Sequence, residues 1–166
     1  MTDSRARWYF RPMFQRRTVD VLVALDDQDL RRFVSSQLWL AGYKARLAGS
    51  SAGASALIHD AVPDVMIVDV KMQDMDVFKF VAGIRGGRTI PYFPVIFLTG
   101  NMDIASRARA LGGVCVRKPV QPGKLLATVA SSTLIRHPRS QFAQPAPSLL
   151  AASNEYFRLV SRAQVP

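Results

Sequence analysis

Short apolar runs alternate with longer mixed segments along this chain. Val19–Leu25, Val65–Val68, Pro94–Leu98 and Val114–Val116 carry almost no polar position between them. Such runs suit parallel strands buried on both faces rather than half-exposed ones. Between them the period lengthens. Asp29–Leu40 reads as a helix, with Leu30, Phe33, Val34, Gln37, Leu38 and Ala41 spaced to cover one face. Gly42 closes it as a C-cap, and Tyr43–Ala48 reads as a short second strand. Ser50 or Ser51 caps a helix that runs through Ala61, and Pro63 separates it from the next strand. Asp76–Ile84, Asp103–Leu111 and Pro122–Leu134 complete the alternation. Five strands alternating with five helices predict an α/β fold, a doubly wound five-stranded parallel sheet flanked by helices.

The polar residues that end the apolar runs carry the candidate chemistry. The central run 63–72, PDVMIVDVKM, stops on Asp69; the first ends on the pair Asp26 and Asp27, the third on Thr99, and the last leads to Lys118-Pro119. In an open α/β sheet the carboxyl ends of the strands face the ligand crevice, so an acid there is held by the core yet reachable. Asp69 alone fits a solvated loop acid equally well, and Lys118-Pro119 alone fits a loop turn. Three carboxylates at one sheet edge suit a hard divalent cation such as Mg²⁺, which takes octahedral oxygen ligands and keeps some waters.

The pieces VLVALDD, PDVMIVDVKM, PVIFLTG and VRKP, in that order with helix-length segments between them, closely resemble the receiver domain of bacterial two-component response regulators. The resemblance covers about residues 18–133 and implies the chemotaxis-type, flavodoxin-like fold. It implies that Asp69 is the phosphoacceptor, attacking a phosphohistidine of a sensor histidine kinase or phosphotransfer protein to form an acyl phosphate. By the same resemblance, Asp27, Asp69 and the backbone carbonyl of Lys71 ligate Mg²⁺ and Asp26 acts largely through water. Lys118 and the metal neutralise the phosphoryl oxygens, Thr99 donates to one of them, and the Lys118–Pro119 peptide is commonly cis. It does not imply an independent enzyme, only self-phosphorylation and loss of the phosphate by hydrolysis.

Three positions depart from the family pattern. The loop after Asp69 usually runs Met-Pro-x-Met-Asp-Gly, whereas this chain has Met72-Gln73-Asp74-Met75-Asp76-Val77. Gln73 loses the fixed φ of proline, and Val77 stands for a glycine where a β-branched residue resists positive φ. The third is Cys115, at the switch position on the fifth strand where an aromatic usually turns inward. Output in the family is a population shift of the face formed by the fourth helix, fifth strand and fifth helix, which is also the expected homodimer face. The complete set Asp26, Asp27, Asp69, Thr99 and Lys118 supports a stand-alone phosphorylated receiver that signals by binding another protein. Gln73, Val77 and Cys115 support the alternative, a degenerate receiver used as a phosphorylation-independent interaction module.

Composition adds a charge. With 49% hydrophobic and 20% charged residues the 166-residue chain is globular in type, but 22 Lys and Arg against 12 Asp and Glu leave it at +10. Between Ile104 and Asn154 there is no acid, while Arg107, Arg109, Arg117, Lys118, Lys124, Arg136 and Arg139 all fall there. That half should present a positive face and suit an acidic partner, unless it is ordinary solvation by an Arg-rich composition. A third reading, binding of nucleic acid or an anionic surface, has no recognisable DNA-binding motif behind it.

The division of the chain follows. Residues 1–17 form an extension in which Arg5, Arg7, Arg11, Arg16 and Arg17 interleave with Trp8, Tyr9, Phe10 and Phe14. That mixture suits base stacking or a membrane interface, and equally a flexible leader or a misplaced start codon. The receiver domain spans 18–134, a Pro-rich linker 135–147, and a tail 148–166 in which Leu149, Leu150, Tyr156, Phe157 and Val160 fall near one face of a short helix. Cys115 is the single cysteine, so no internal disulfide forms. No secretory or spanning segment is visible, and the expected location is the cytoplasm. His59 and His137 receive no role.

Overall fold

A computed structural model describes residues 18–87 and 90–134. The extension 1–17, the linker 135–147 and the tail 148–166 lie outside the described residues, as do Arg136, His137 and Arg139. The elements run β1 (Asp20–Ala24), α1 (Gln28–Leu40), β2 (Lys44–Ala48), α2 (Ser51–Asp60), β3 (Val65–Asp69), α3 (Val77–Gly86), β4 (Val95–Thr99), α4 (Ala105–Ala110), β5 (Gly113–Arg117) and α5 (Pro122–Leu134). All strand pairs are parallel, in the order β2-β1-β3-β4-β5. This is the doubly wound sheet that the alternation predicts.

Alternate residues of the apolar runs feed two cores, which is why no polar face interrupts those runs. Leu22, Ala24, Met66, Val68, Val95 and Phe97 pack on one side with Ala54 and Ile58 of α2, Phe80, Val81 and Ile84 of α3, and Ala108 of α4. Val21, Val23, Val65, Ile67, Ile96, Leu98 and Val116 pack on the other with Val34 and Leu38 of α1 and Leu125 and Val129 of α5. Each fully buried aliphatic contributes about 1.5–3 kcal/mol relative to exposure, so both layers hold the strand ends rigidly.

The helix boundaries follow local caps. Asp27 caps α1, accepting from the Asp29 and Leu30 amides; Ser50 caps α2 through Gly53 N–H; Asp76 caps α3 through Lys79 N–H. Asp76 therefore stands outside the helix expected to begin with it. The single helix expected over Asp103–Leu111 is divided into a 3₁₀ turn, Met102–Ile104, and α4, because Asn101 caps the turn through Asp103 N–H and gives it its own start. Gly42 closes α1 in the left-handed region at φ 82°, as expected. The α1 stripe is narrower than its periodicity suggests. Leu30, Val34 and Leu38, one row of i, i+4 positions, face the sheet, while Phe33 is 37% exposed and Ala41 lies in solvent.

Arg85 anchors the end of α3 to the lead-in of β4. Its guanidinium stacks over Tyr92 at 4.1 Å and Phe93 at 5.4 Å, and Nε donates to the Leu111 carbonyl at 3.2 Å. Burial, opposed by the Tyr92 hydroxyl, lowers its pKa to about 10, so it stays a cation at neutral pH.

Candidate functional site

β1 and β3 are neighbours, yet the chain leaves them toward opposite faces of the sheet, β1 into α1 and β3 toward α3. A crevice opens at such a switch point, beyond the carboxyl ends of the strands. Asp26 and Asp27 follow β1, Asp69 ends β3, Thr99 ends β4 and Lys118 follows β5.

Asp69 is the centre of the site. It is only 3% exposed. Oδ1 accepts from the Lys71 amide at 2.9 Å, and Oδ2 forms an ion pair with Lys118 Nζ. A buried carboxylate without a partner costs several kcal/mol, and the ammonium together with the Lys71 amide offsets that cost. Lys118 arrives because its amide continues the β4–β5 ladder, donating to the Thr99 carbonyl at 2.8 Å; the Lys118–Pro119 peptide is cis. Thr99, 4% exposed, turns its hydroxyl into its own loop: it donates to the Asn101 carbonyl at 2.8 Å and accepts from the Asn101 amide at 3.0 Å.

The two acids after β1 differ in posture. Asp27 Oδ1 accepts from the Asp29 and Leu30 amides at 2.9 and 3.0 Å. Asp26 Oδ1 accepts from the Asp27 amide at 2.9 Å, and its Oδ2 accepts from the Gln73 amide at 3.1 Å. The three acids stand at the same edge of the sheet, each held by its own donors. Among the described residues no three His, Cys, Asp or Glu side chains stand together as a metal cluster. Backbone amides and Lys118 hold the acids in different postures: Asp27 caps α1, Asp26 reaches the Gln73 amide in the loop after β3, and Asp69 pairs with Lys118. Each carboxylate oxygen has two lone pairs and so keeps acceptor capacity beside the bond it makes. The donors at this edge are all hard oxygens, which fits Mg²⁺, an ion that takes one or two carboxylates and retains water.

The loop departures acquire local explanations. Proline in place of Gln73 would have no amide hydrogen, so the bond to Asp26 exists because the residue is not proline. Val77 needs no positive φ: it opens α3, is buried, and joins the core, so the expected conflict there does not arise. We expect Gln73→Pro to lose about 1 kcal/mol of stability with the loss of this bond, while Gln73→Ala, which keeps the amide, stays within about 0.5 kcal/mol. Urea unfolding midpoints of the two variants measure the difference.

Other contacts at this edge carry no signal in the strand-end pattern. Asp74 Oδ2 accepts from the Ser51 amide at 2.6 Å, tying the loop after β3 to the start of α2. Arg31 Nη1 donates to the carbonyls of Leu25 and, at 3.3 Å, Asp26, with its guanidinium lying across Gly49. Asn101 could have been found: the run Thr99-Gly100-Asn101-Met102-Asp103 carries the side chains that favour local capping turns.

Cys115 does not join this group. It pairs with Phe97 across β4 and β5, half buried against the core layer of α3 and α4. That layer already holds aromatics: Phe78 stacks on Phe97 with centroids 5.3 Å apart, and Arg107 lies 4.2 Å over the Phe78 ring. Burial raises the Cys115 thiol pKa, against a smaller opposing pull from Arg109. The neutral thiol thus persists to higher pH than an ordinary cysteine. We expect alkylation by iodoacetamide at neutral pH to be slower than that of a free thiol, with the rate rising only above the ordinary thiol range. A rate matching a free thiol throughout would contradict the burial.

Comparison with known proteins agrees with this geometry. The response regulator receiver domain family matches residues 21–130. The chain is 30% identical over 127 residues to the transcriptional regulatory protein GltR of Pseudomonas aeruginosa, covering 75% of this chain and 51% of that protein. It is 29% identical over 128 residues to the transcriptional regulatory protein KdpE of Mycobacterium tuberculosis, covering 75% and 55%. The chain thus spans about half the length of these relatives. Among solved structures it is similar to the chemotaxis response regulator CheY4 of Vibrio cholerae, with a TM-score of 0.63, 30% identity, and coverage of 69% of this chain and 98% of that one. With its five-stranded fold and the strand-end set of Asp69, Thr99 and Lys118, the chain belongs to the family of response regulator receiver domains.

Proposed function

We propose that this receiver accepts a phosphoryl group on Asp69 from a histidine kinase or phosphotransfer protein, in a Mg²⁺-dependent step, and signals by binding another protein. The observation that carries this is the buried Asp69 carboxylate at the end of β3, ion-paired to Lys118. Asp69 is held in place by the Lys71 amide, so one oxygen is oriented while the other faces the ammonium. An Asp69 oxygen attacks phosphorus, the nitrogen–phosphorus bond of the donor breaks, and its electron pair stays on the histidine. Lys118 then transfers its charge from the carboxylate to the new phosphoryl oxygens, and Thr99 exchanges its Asn101 carbonyl for one of them.

Mg²⁺ would be held by Asp27, Asp69 and the Lys71 carbonyl, with Asp26 acting through water, and would supply charge neutralisation at the phosphoryl oxygens. The protein is a signalling element rather than a turnover enzyme. We further propose a cytoplasmic location, an acidic downstream partner or homodimer on the α4–β5–α5 face, and the division of the chain into 1–17, 18–134, 135–147 and 148–166. Among the described residues no helix is long and apolar enough to cross a membrane.

The test is intact-mass spectrometry after incubation with Mg²⁺ and a small phosphoryl donor, beside an EDTA control. A metal-dependent gain of one phosphoryl group supports the reading. No gain from the small donor or from a panel of phosphorylated histidine kinases would overturn it.

A further inference from the structure

Among the described residues an exposed apolar surface lies at the end of the sheet opposite Asp69. Trp39 is 75% exposed and Leu40 72% exposed, both in the last turn of α1. With Ser36, Tyr43, Lys44 and Ala45 they line a shallow groove of about 650 Å³. An exposed tryptophan beside an exposed leucine offers apolar area that a docked segment would bury.

The topology places the groove and the end of α5 at the same edge of the sheet. The strands are all parallel, so their amino ends share one edge of the sheet, and Lys44 opens β2 there with its amide on the Val19 carbonyl at 2.9 Å. α1 and α5 pack side by side on one face and both run back toward that edge. α5 ends there on Leu134, itself 83% exposed. The remaining 32 residues, 135–166, therefore leave from the groove's own end of the domain.

We propose that residues 148–166 of this chain dock on the groove formed by Trp39, Leu40, Tyr43 and Lys44. The tail has the matching apolar content, Leu149, Leu150, Tyr156, Phe157 and Val160 at helical spacing. The 13 residues 135–147 span at most about 43 Å when extended, about twice the length of α5, so reach does not limit the return. Tethering gives the tail an effective concentration of about a millimolar, well above that of a second copy in dilute solution. Charge opposes it less than it opposes the extension: the tail sets Arg158 and Arg162 against Glu155, whereas residues 1–17 set five arginines against Asp3 and would bring them to Lys44.

Fluorescence of Trp39 in the full chain, with Trp8→Phe removing the only other tryptophan, tests the docking. The expected result is a blue-shifted emission and acrylamide quenching several-fold weaker than in the same protein carrying Tyr156→Asp and Phe157→Asp, independent of protein concentration. Leu149→Asp, at the other end of the stripe, should reproduce the exposure, and circular dichroism should show the domain still folded. Identical quenching in the parent and both tail variants would overturn the proposal. So would protection that appears only at high protein concentration, which would assign the groove to a second copy. Protection lost on deleting residues 1–17 but kept in the tail variants would assign it to the extension and overturn it equally.

Discussion

Asp69→Asn is expected to lower Mg²⁺-dependent phosphoryl uptake by at least about a hundredfold, to the level of the metal-free control, while the fold persists. The amide keeps the shape of the carboxylate and its acceptor oxygen for the Lys71 amide, now 2.9 Å from Oδ1. It loses the negative charge that balances Lys118 and that the proposed attack on phosphorus requires. The stability effect should be small, about 1 kcal/mol, because the Lys118 side chain is 30% exposed and its ammonium has water to turn to. Intact mass reads the uptake and urea unfolding the stability. Labelling that persists in the Asn variant would move the acceptor to another residue and leave the ion pair a structural feature of the crevice.

The largest stability effect is expected at Gly113→Ala. A Cβ built there stands 2.5 Å from Phe97 Cε2 and 2.8 Å from the Val95 carbonyl oxygen. The ring has little room to yield, because it is fully buried and stacked on Phe78, which Arg107 covers in turn. The Val95 carbonyl belongs to the paired strand, in register with Gly113, and a side-chain rotation does not move it. Overpacking a closed core costs about 1–3 kcal/mol, and a clash with backbone puts this substitution at about 3 kcal/mol. Denaturant unfolding of the variant measures it. A loss below about 1 kcal/mol would mean that β5 shifts away from β4, and the Phe78–Phe97 stack would then not be a fixed part of the α3–α4 side of the core.

These two substitutions also mark how much could be read without a fold. Asp69 was visible from the sequence because the signal is local: an apolar run buried on both faces, stopped by one acid. The same logic located Asp26, Asp27, Thr99 and Lys118, since strand ends are where a parallel sheet exposes side chains to a crevice. Gly113 carried no such signal. It sits just before the run Val114–Val116 and reads as a turn residue after Gly112, whose φ of 68° does make the turn. Only the packing of a ring from another strand makes the absence of its Cβ necessary.

Gln73 and Val77 show the same limit from the other direction. As departures from the family pattern they supported the alternative of a degenerate receiver used as a phosphorylation-independent module. In the fold Val77 is an ordinary core residue at a helix start, and Gln73 contributes its amide, not its side chain, to Asp26. Whether a backbone N–H finds an acceptor 47 positions away is a property of how two loops meet. Local pattern has no access to that.

By itself the sequence determined the order and type of the elements, because hydrophobic period and caps act within a few residues of one another. It also determined which chemical groups stand at the ends of the central strands, because the apolar runs buried on both faces give way there to polar residues. The tertiary structure decided the postures of the acids: Asp27 as a helix cap, Asp26 on the Gln73 amide, Asp69 on Lys118. It decided too that Cys115 and Gly113 lie against Phe97, and that Trp39 and Leu40 stand exposed at the end of α1. These contacts join residues far apart in the chain, and their energies depend on distances that only the closed sheet sets.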